Sequence, residues 1–263
     1  MNSPVKPFQK CAPDINTFQV EYFMEINLGN LKKYQYSFKI TINETENEDQ
    51  TKDWRIDKMG DDLSISDNSF LEILQKLEQC SYPLTVKVDD RGVFLGAVDH
   101  HKSIENWKSK SLQNSEKYDN FKVFRSQYLT TMENEELFYK NKLKEPFWNL
   151  LLFAPSYMNN GDRNKESIDW NIKGIGIVQC NGSIIAEKRN YGFEAYFTSE
   201  TIMDELLTKK LNEKYSGSPK QFNIELQINM EYNSSKKQYI KKKAVFILSD
   251  GEKILYRETC SIT

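Results

Sequence analysis

"FQVEYFMEINLGNLKKYQYSFKITI", Phe18 to Ile42, decides the fold class. Phe18, Val20, Tyr22, Met24, Ile26 and Leu28 fall on alternate positions. After Gly29 and Asn30 the alternation resumes at Tyr34, Tyr36, Phe38, Ile40 and Ile42. A two-residue period belongs to strands with one covered face and one wet face, so the stretch predicts a long antiparallel hairpin.

Working outward, the same pattern returns near the C-terminus. Phe222, Ile224, Leu226, Ile228, Met230 and Tyr232 alternate without a break, and "YIKKKAVFILS" and "EKILYRETCSI" form a further hairpin turned at Ser249, Asp250 and Gly251. Upstream of them, "DWNIKGIGIVQCNGSIIAEKRNYGFEAYF" reads as strands with a hairpin turn at Asn181-Gly182. A helix opened by Ser199 follows it.

Between the two strand-rich halves the period changes. "SFLEILQKLEQC" is a helix, with Ser69 and Glu72 in capping-box spacing. A tight hairpin turns at Asp90, Arg91 and Gly92. Helical segments then run from Ser103 to Leu112, Lys117 to Thr131 and Glu133 to Leu143, and Pro146 suits the first turn of a fourth. "NNGDRNKES", Asn159 to Ser167, has no apolar residue and reads as a polar loop between residues 1–158 and 168–263, unless the whole is one continuous domain.

Strands next to strands argue for an α+β protein and against a doubly wound parallel sheet. The predicted architecture is a set of predominantly antiparallel β meanders forming a curved sheet, or two sheet lobes, packed on a central helical block. Alternation on nearly every strand favours the single curved sheet. In element order this resembles the half-barrel carriers of lipids and lipoproteins. The resemblance implies an apolar ligand held between sheet and helices, although the N-terminus lacks the apolar stretch of an export signal.

Composition excludes several classes. Apolar residues make up 38% and charged residues 28% of the 263 residues, with a net charge of −2, so neither a disordered chain nor a polyelectrolyte partner is expected. The basic run Lys236, Lys237 and Lys241 to Lys243 sits around a turn and reads as a solvated hairpin edge, not a nucleic-acid footprint. No run reaches the roughly 20 apolar residues of a membrane span. A cytoplasmic location is the expectation. Cys11, Cys80, Cys180 and Cys260 are widely spaced without zinc-ligand or CxxC spacing, and read as buried thiols.

Chemistry concentrates in "VKVDDRGVFLGAVDHHKSIENW", Val86 to Trp107. Asp89, Asp99, His100 and His101 are the fallback candidates for a metal site or acid–base pair. Turn chemistry and entry into the helix carrying Ile104 and Trp107 explain them without either role. Gly174 and Gly176 fall within an alternating strand and lack the third glycine of a nucleotide fingerprint. No cofactor, metal or catalytic residue is therefore assigned.

"PFWNLLLFAP", Pro146 to Pro155, is apolar on nearly every side. It is either a fully buried helix or a lid over an apolar cavity. By elimination, the leading expectation is a non-catalytic cytoplasmic protein that binds another protein, of the adaptor, chaperone or immunity kind. The alternative is a half-barrel that binds an apolar small molecule or lipid against Phe147, Trp148, Leu151 and Phe153. A third is an enzyme using His100 or His101 with Asp89 or Asp99.

Overall fold

The computed structural model describes residues 14–27, 30–60, 69–112, 121–155, 163–199, 205–215, 222–235 and 238–263. The opening stretch forms β1 (Asp14–Asn27) and β2 (Leu31–Glu46), antiparallel, with Val20 opposite Phe38 and Tyr22 opposite Tyr36. The predicted alternation therefore puts Val20, Tyr22, Met24, Phe38, Ile40 and Ile42 into the core. Then follow β3 (Lys52–Met59), α1 (Ser69–Cys80), β4 (Leu84–Val88) and β5 (Phe94–Ala97). The helical block is α2 (His100–Leu112), α3 (Phe121–Glu133), α4 (Glu135–Lys142) and α5 (Pro146–Leu152). The second half holds β6 (Arg163–Ile172), β7 (Gly176–Arg189), β8 (Gly192–Ser199), α6 (Glu205–Lys214), β9 (Phe222–Asn233), β10 (Gln238–Asp250) and β11 (Lys253–Ile262).

The eleven strands of the described residues form one antiparallel sheet in the order β5-β4-β3-β2-β1-β11-β10-β9-β8-β7-β6. The first and last strands meet at its centre, with Val20 opposite Ile262 and Ile26 opposite Tyr256. The sheet is open and strongly curved. Trp170 on edge strand β6 reaches back across the hollow, where its indole N–H donates to Glu258 of β11 at 2.7 Å and its ring stacks on Phe246 of β10 at 6.2 Å.

Helices fill the hollow. Trp107 of α2 donates its indole N–H to the Leu77 carbonyl of α1 at 2.8 Å. The α5 helix lies against β6, β10 and β11, and Phe147 meets Phe38 of β2 edge-on at 5.2 Å. A seven-residue helix cannot hold itself by propensity, so packing and end contacts must do so. Trp148 is 1% exposed. At the start of α5, buried Lys142 donates to Glu145 at 3.1 Å and to Glu78 of α1 at 3.3 Å, while Lys58 of β3 stands 3.5 Å from Glu78. Burial works against the Glu78 charge, but Lys142 and Lys58 outweigh it and hold its carboxyl well below the ordinary range. Burial moves Glu145 in the opposite direction.

Three local readings change, and a fourth falls outside the described residues. Asn181-Gly182 is not a turn: β7 runs straight through it, and the glycine serves close packing, since a β-carbon at 182 would collide with the Thr198 carbonyl and the Phe197 ring of neighbouring β8. The turn lies instead at residues 173–175, where Gly174 takes φ +78°. Ser199 ends β8, and its hydroxyl accepts from Leu226 N–H at 2.7 Å. The polar stretch 159–167 is partly strand, since Arg163 to Ser167 pair with β7 at the sheet's edge, where a strand needs no apolar run. The side chains of the Ser69/Glu72 capping box lie outside the described residues.

Replacing Lys142 by Met removes the cation that Glu78 and Glu145 share and leaves Glu78 with Lys58 alone. The expected loss in chemical denaturation is about 3 kcal/mol at neutral pH, at the low end for a broken buried pair because Glu78 and Glu145 keep partial solvent contact. Repulsion from Glu78 raises the folded-state pKa of Glu145 further, so the loss should shrink as pH falls toward about 4.5. A loss that does not vary with pH would contradict this reading of the cluster.

Candidate functional site

The four fallback residues are dispersed. Asp89 closes its own hairpin turn, accepting from Arg91 N–H at 3.0 Å and Val93 N–H at 2.8 Å, with the Arg91 guanidinium at 2.9 Å. Partial burial works against its charge, but these donors prevail and hold the carboxyl below the ordinary range. Asp99 is exposed in the left-handed region at φ 52°, at the entry to α2. His100 is 8% exposed, with Nε2 2.7 Å from the Met132 carbonyl and its ring against Phe138 and Tyr139. His101 points to solvent beside Glu105 at 3.3 Å. Among the described residues, no three His, Cys, Asp or Glu side chains come together as metal ligands. Cys80, Cys180 and Cys260 are buried thiols.

The apolar candidates on and after α5 are also divided, because a short helix in the middle of a hollow points its side chains in different directions. Phe147 lines a cavity of about 320 Å³ with Tyr34, Tyr36 and Lys58. Phe153 lines a wider groove of about 940 Å³ between edge strands β5 and β6. Trp148 stacks on Tyr82 at 6.4 Å. Leu151 lines the third space, a cavity of about 440 Å³ at one end of the curved sheet.

That end cavity unites residues distant in sequence. Phe18, Ile42 and Trp54 come from the first half of the sheet, and Phe193, Tyr232, Tyr239 and Ile262 from the second. Buried Leu151 and Pro155 close its inner end. Exposed Asp90, Arg91 and Lys241 stand at the outer end. Two of the cationic side chains are matched, Lys52 to Glu44 at 2.7 Å and Lys241 to Glu231 at 3.2 Å, and Arg91 pairs with Asp89.

Lys242 is different. It belongs to the run read from sequence as a solvated edge, yet it is 5% exposed, because it shares the inward phase of Ala244, Phe246 and Leu248 along β10. Its ammonium donates to three carbonyls at the end of α5, those of Leu150 at 3.2 Å, Leu151 at 2.7 Å and Phe153 at 2.7 Å. The Tyr239 ring lies 4.5 Å from the nitrogen. A cation at a helix C-terminus satisfies carbonyls that have no partner within the helix. Burial pushes the ammonium down to about 7. The carbonyls and the ring face favour the charged form.

A second inward charge is Glu258, 2% exposed, in phase with Tyr256, Cys260 and Ile262 on β11. It accepts from the Tyr22 hydroxyl and the Trp170 indole. Burial pushes its carboxyl above the ordinary range, and those donors act in the opposite direction.

Comparison with known proteins adds little. No protein-family model matches the sequence. No curated protein matches it significantly. Among solved structures, the chain is similar to lipovitellin in a structure concerned with lipid-protein interactions, at 10% identity and a TM-score of 0.48. The match covers 94% of this chain and 24% of that one, so the chain spans about a quarter of the lipovitellin chain's length. Among the described residues, no helix is long and apolar enough to cross a membrane.

Lys242 gives the site a pH dependence with a definite sign. Below pH 7 the folded and unfolded states both carry its proton, and the full cost of burying the charge is present. Above pH 7 the folded state sheds the proton while the unfolded chain holds it to about 10.4, so stability rises across that window. Urea titrations between about pH 6.5 and 9.5 should show wild type gaining stability relative to Lys242→Met. A constant difference would mean that the carbonyls keep the ammonium charged throughout.

Proposed function

We propose that this chain binds an apolar small molecule in the end cavity. The observation supporting this reading is the cavity itself: about 440 Å³, within the size range of small-molecule sites. Phe18, Ile42, Leu151 and Ile262 give it apolar walls, and polar groups from Lys242 at the inner end to Asp90, Arg91 and Lys241 at the outer end interrupt them. Both halves of the sheet contribute, so an occupant touches strands on either side of the central β1–β11 joint. A protein partner remains the competing reading. The dispersal of Asp89, Asp99, His100 and His101 lends no support to the enzyme reading.

Thermal melts with graded dodecanol test the proposal. Wild type should melt at rising temperature in a saturable, concentration-dependent way, as for any ligand bound only by the folded state. Asn16→Trp puts bulk into the cavity wall on a strand surface outside the apolar core, and should remove the effect while the protein still folds. No stabilisation, or one that survives Asn16→Trp, would defeat the proposal. A stoichiometric protein found bound in native mass spectra, in place of a small molecule, would favour the competing reading.

A further inference from the structure

We infer that the ligand of the end cavity is an apolar monoanion, a molecule of the fatty-acid class, bound with its carboxylate against Lys242. The inference rests on the reading of that cavity as a ligand site and adds the chemistry of the occupant. Its basis is a charge imbalance. Lys52, Arg91 and Lys241, the other cations on the cavity wall, each stand beside a carboxylate. Among the described residues, Lys242 faces only the three carbonyls and the ring of Tyr239. Carbonyl dipoles satisfy its N–H groups but leave its full positive charge uncompensated.

Depth sets the orientation. Lys242, Leu151 and Pro155 form the buried inner end, and Asp90, Arg91 and Lys241 form the exposed outer end. A carboxylate that reaches Lys242 enters first, and its chain then lies along Phe18, Trp54, Phe193 and Tyr232 toward the solvent. A neutral amphiphile gains the apolar contacts without the ion pair. An alkylammonium adds a like charge beside a buried lysine. One uncompensated ammonium suits one negative charge, which favours a carboxylate over a dianionic head.

Calorimetric titration of the full chain below pH 7, where Lys242 carries its proton, with dodecanoate, dodecanol and dodecylammonium, each below its micelle concentration, separates these ideas. Dodecanoate should bind about tenfold tighter than dodecanol, a gain of about 1.4 kcal/mol from charge pairing with the ammonium, and dodecylammonium should bind more weakly than either. Lys242→Met should bring dodecanoate down to the level of dodecanol and leave dodecanol nearly unchanged. Should that variant fail to fold, the ranking of the three probes on wild type decides alone. Equal binding of acid and alcohol would overturn this inference and leave the cavity as an apolar site. Binding of none of the three would overturn the proposed function itself.

Discussion

A single buried carboxylate, Glu258, ties together strands that the linear order of the sheet keeps apart. It stands on β11 at the centre of the sheet and accepts from Tyr22 of adjacent β1 and from Trp170 of edge strand β6. A flat sheet would separate β6 from β11 by the full width of β7 to β10. The 2.7 Å bond from Trp170 therefore requires the sheet to curl back on itself, and the stacking of Trp170 on Phe246 requires the same. A buried carboxylate without donors would be costly, so a curl that adds Trp170 to the neighbouring Tyr22 is also the arrangement that makes Glu258 tolerable there.

The curl creates the hollow, and the hollow determines α5. Seven residues flanked by prolines have little intrinsic helical stability, yet Phe147, Trp148, Leu150, Leu151 and Leu152 are all buried. Each end is held by a lysine from elsewhere. Lys142 of α4 holds Glu145 at the start, and Lys242 of β10 holds the last carbonyls. Because α5 occupies the middle, the space around it is divided into the Phe147 cavity, the β5–β6 groove and the end cavity. Only the end cavity combines apolar walls with a buried cation that lacks a carboxylate partner among the described residues.

Much of the strand pattern was legible, and the reasons are local. Phe18 to Ile42 alternates because one face is covered, and Phe222 to Tyr232 does so for the same reason. Asn181-Gly182 misled because a glycine required by close packing against Phe197 looks, in sequence, like a glycine required by a turn. The two buried charges on strands left a visible signal, since Lys242 and Glu258 each occupy the apolar phase of a strand. Lys242 escaped notice within a run of lysines whose other described members face solvent. The end cavity was not legible: Trp54 of β3 and Phe193 of β8 reach one cavity only through the curl, and no local period encodes that. The α5 segment was recognisable as unusually apolar, but its division among three spaces follows from its position in the hollow.

A double-mutant cycle between Trp170 and Glu258 tests the central claim most directly, using Trp170→Phe, Glu258→Leu and the double variant in equilibrium denaturation. A hydrogen bond from a neutral donor to a buried carboxylate predicts a coupling of about 1.5 to 3 kcal/mol between two residues 88 positions apart. Additivity of the two single losses, to within about 0.5 kcal/mol, would mean that the indole and the carboxylate do not meet, and that the sheet is not curled as described.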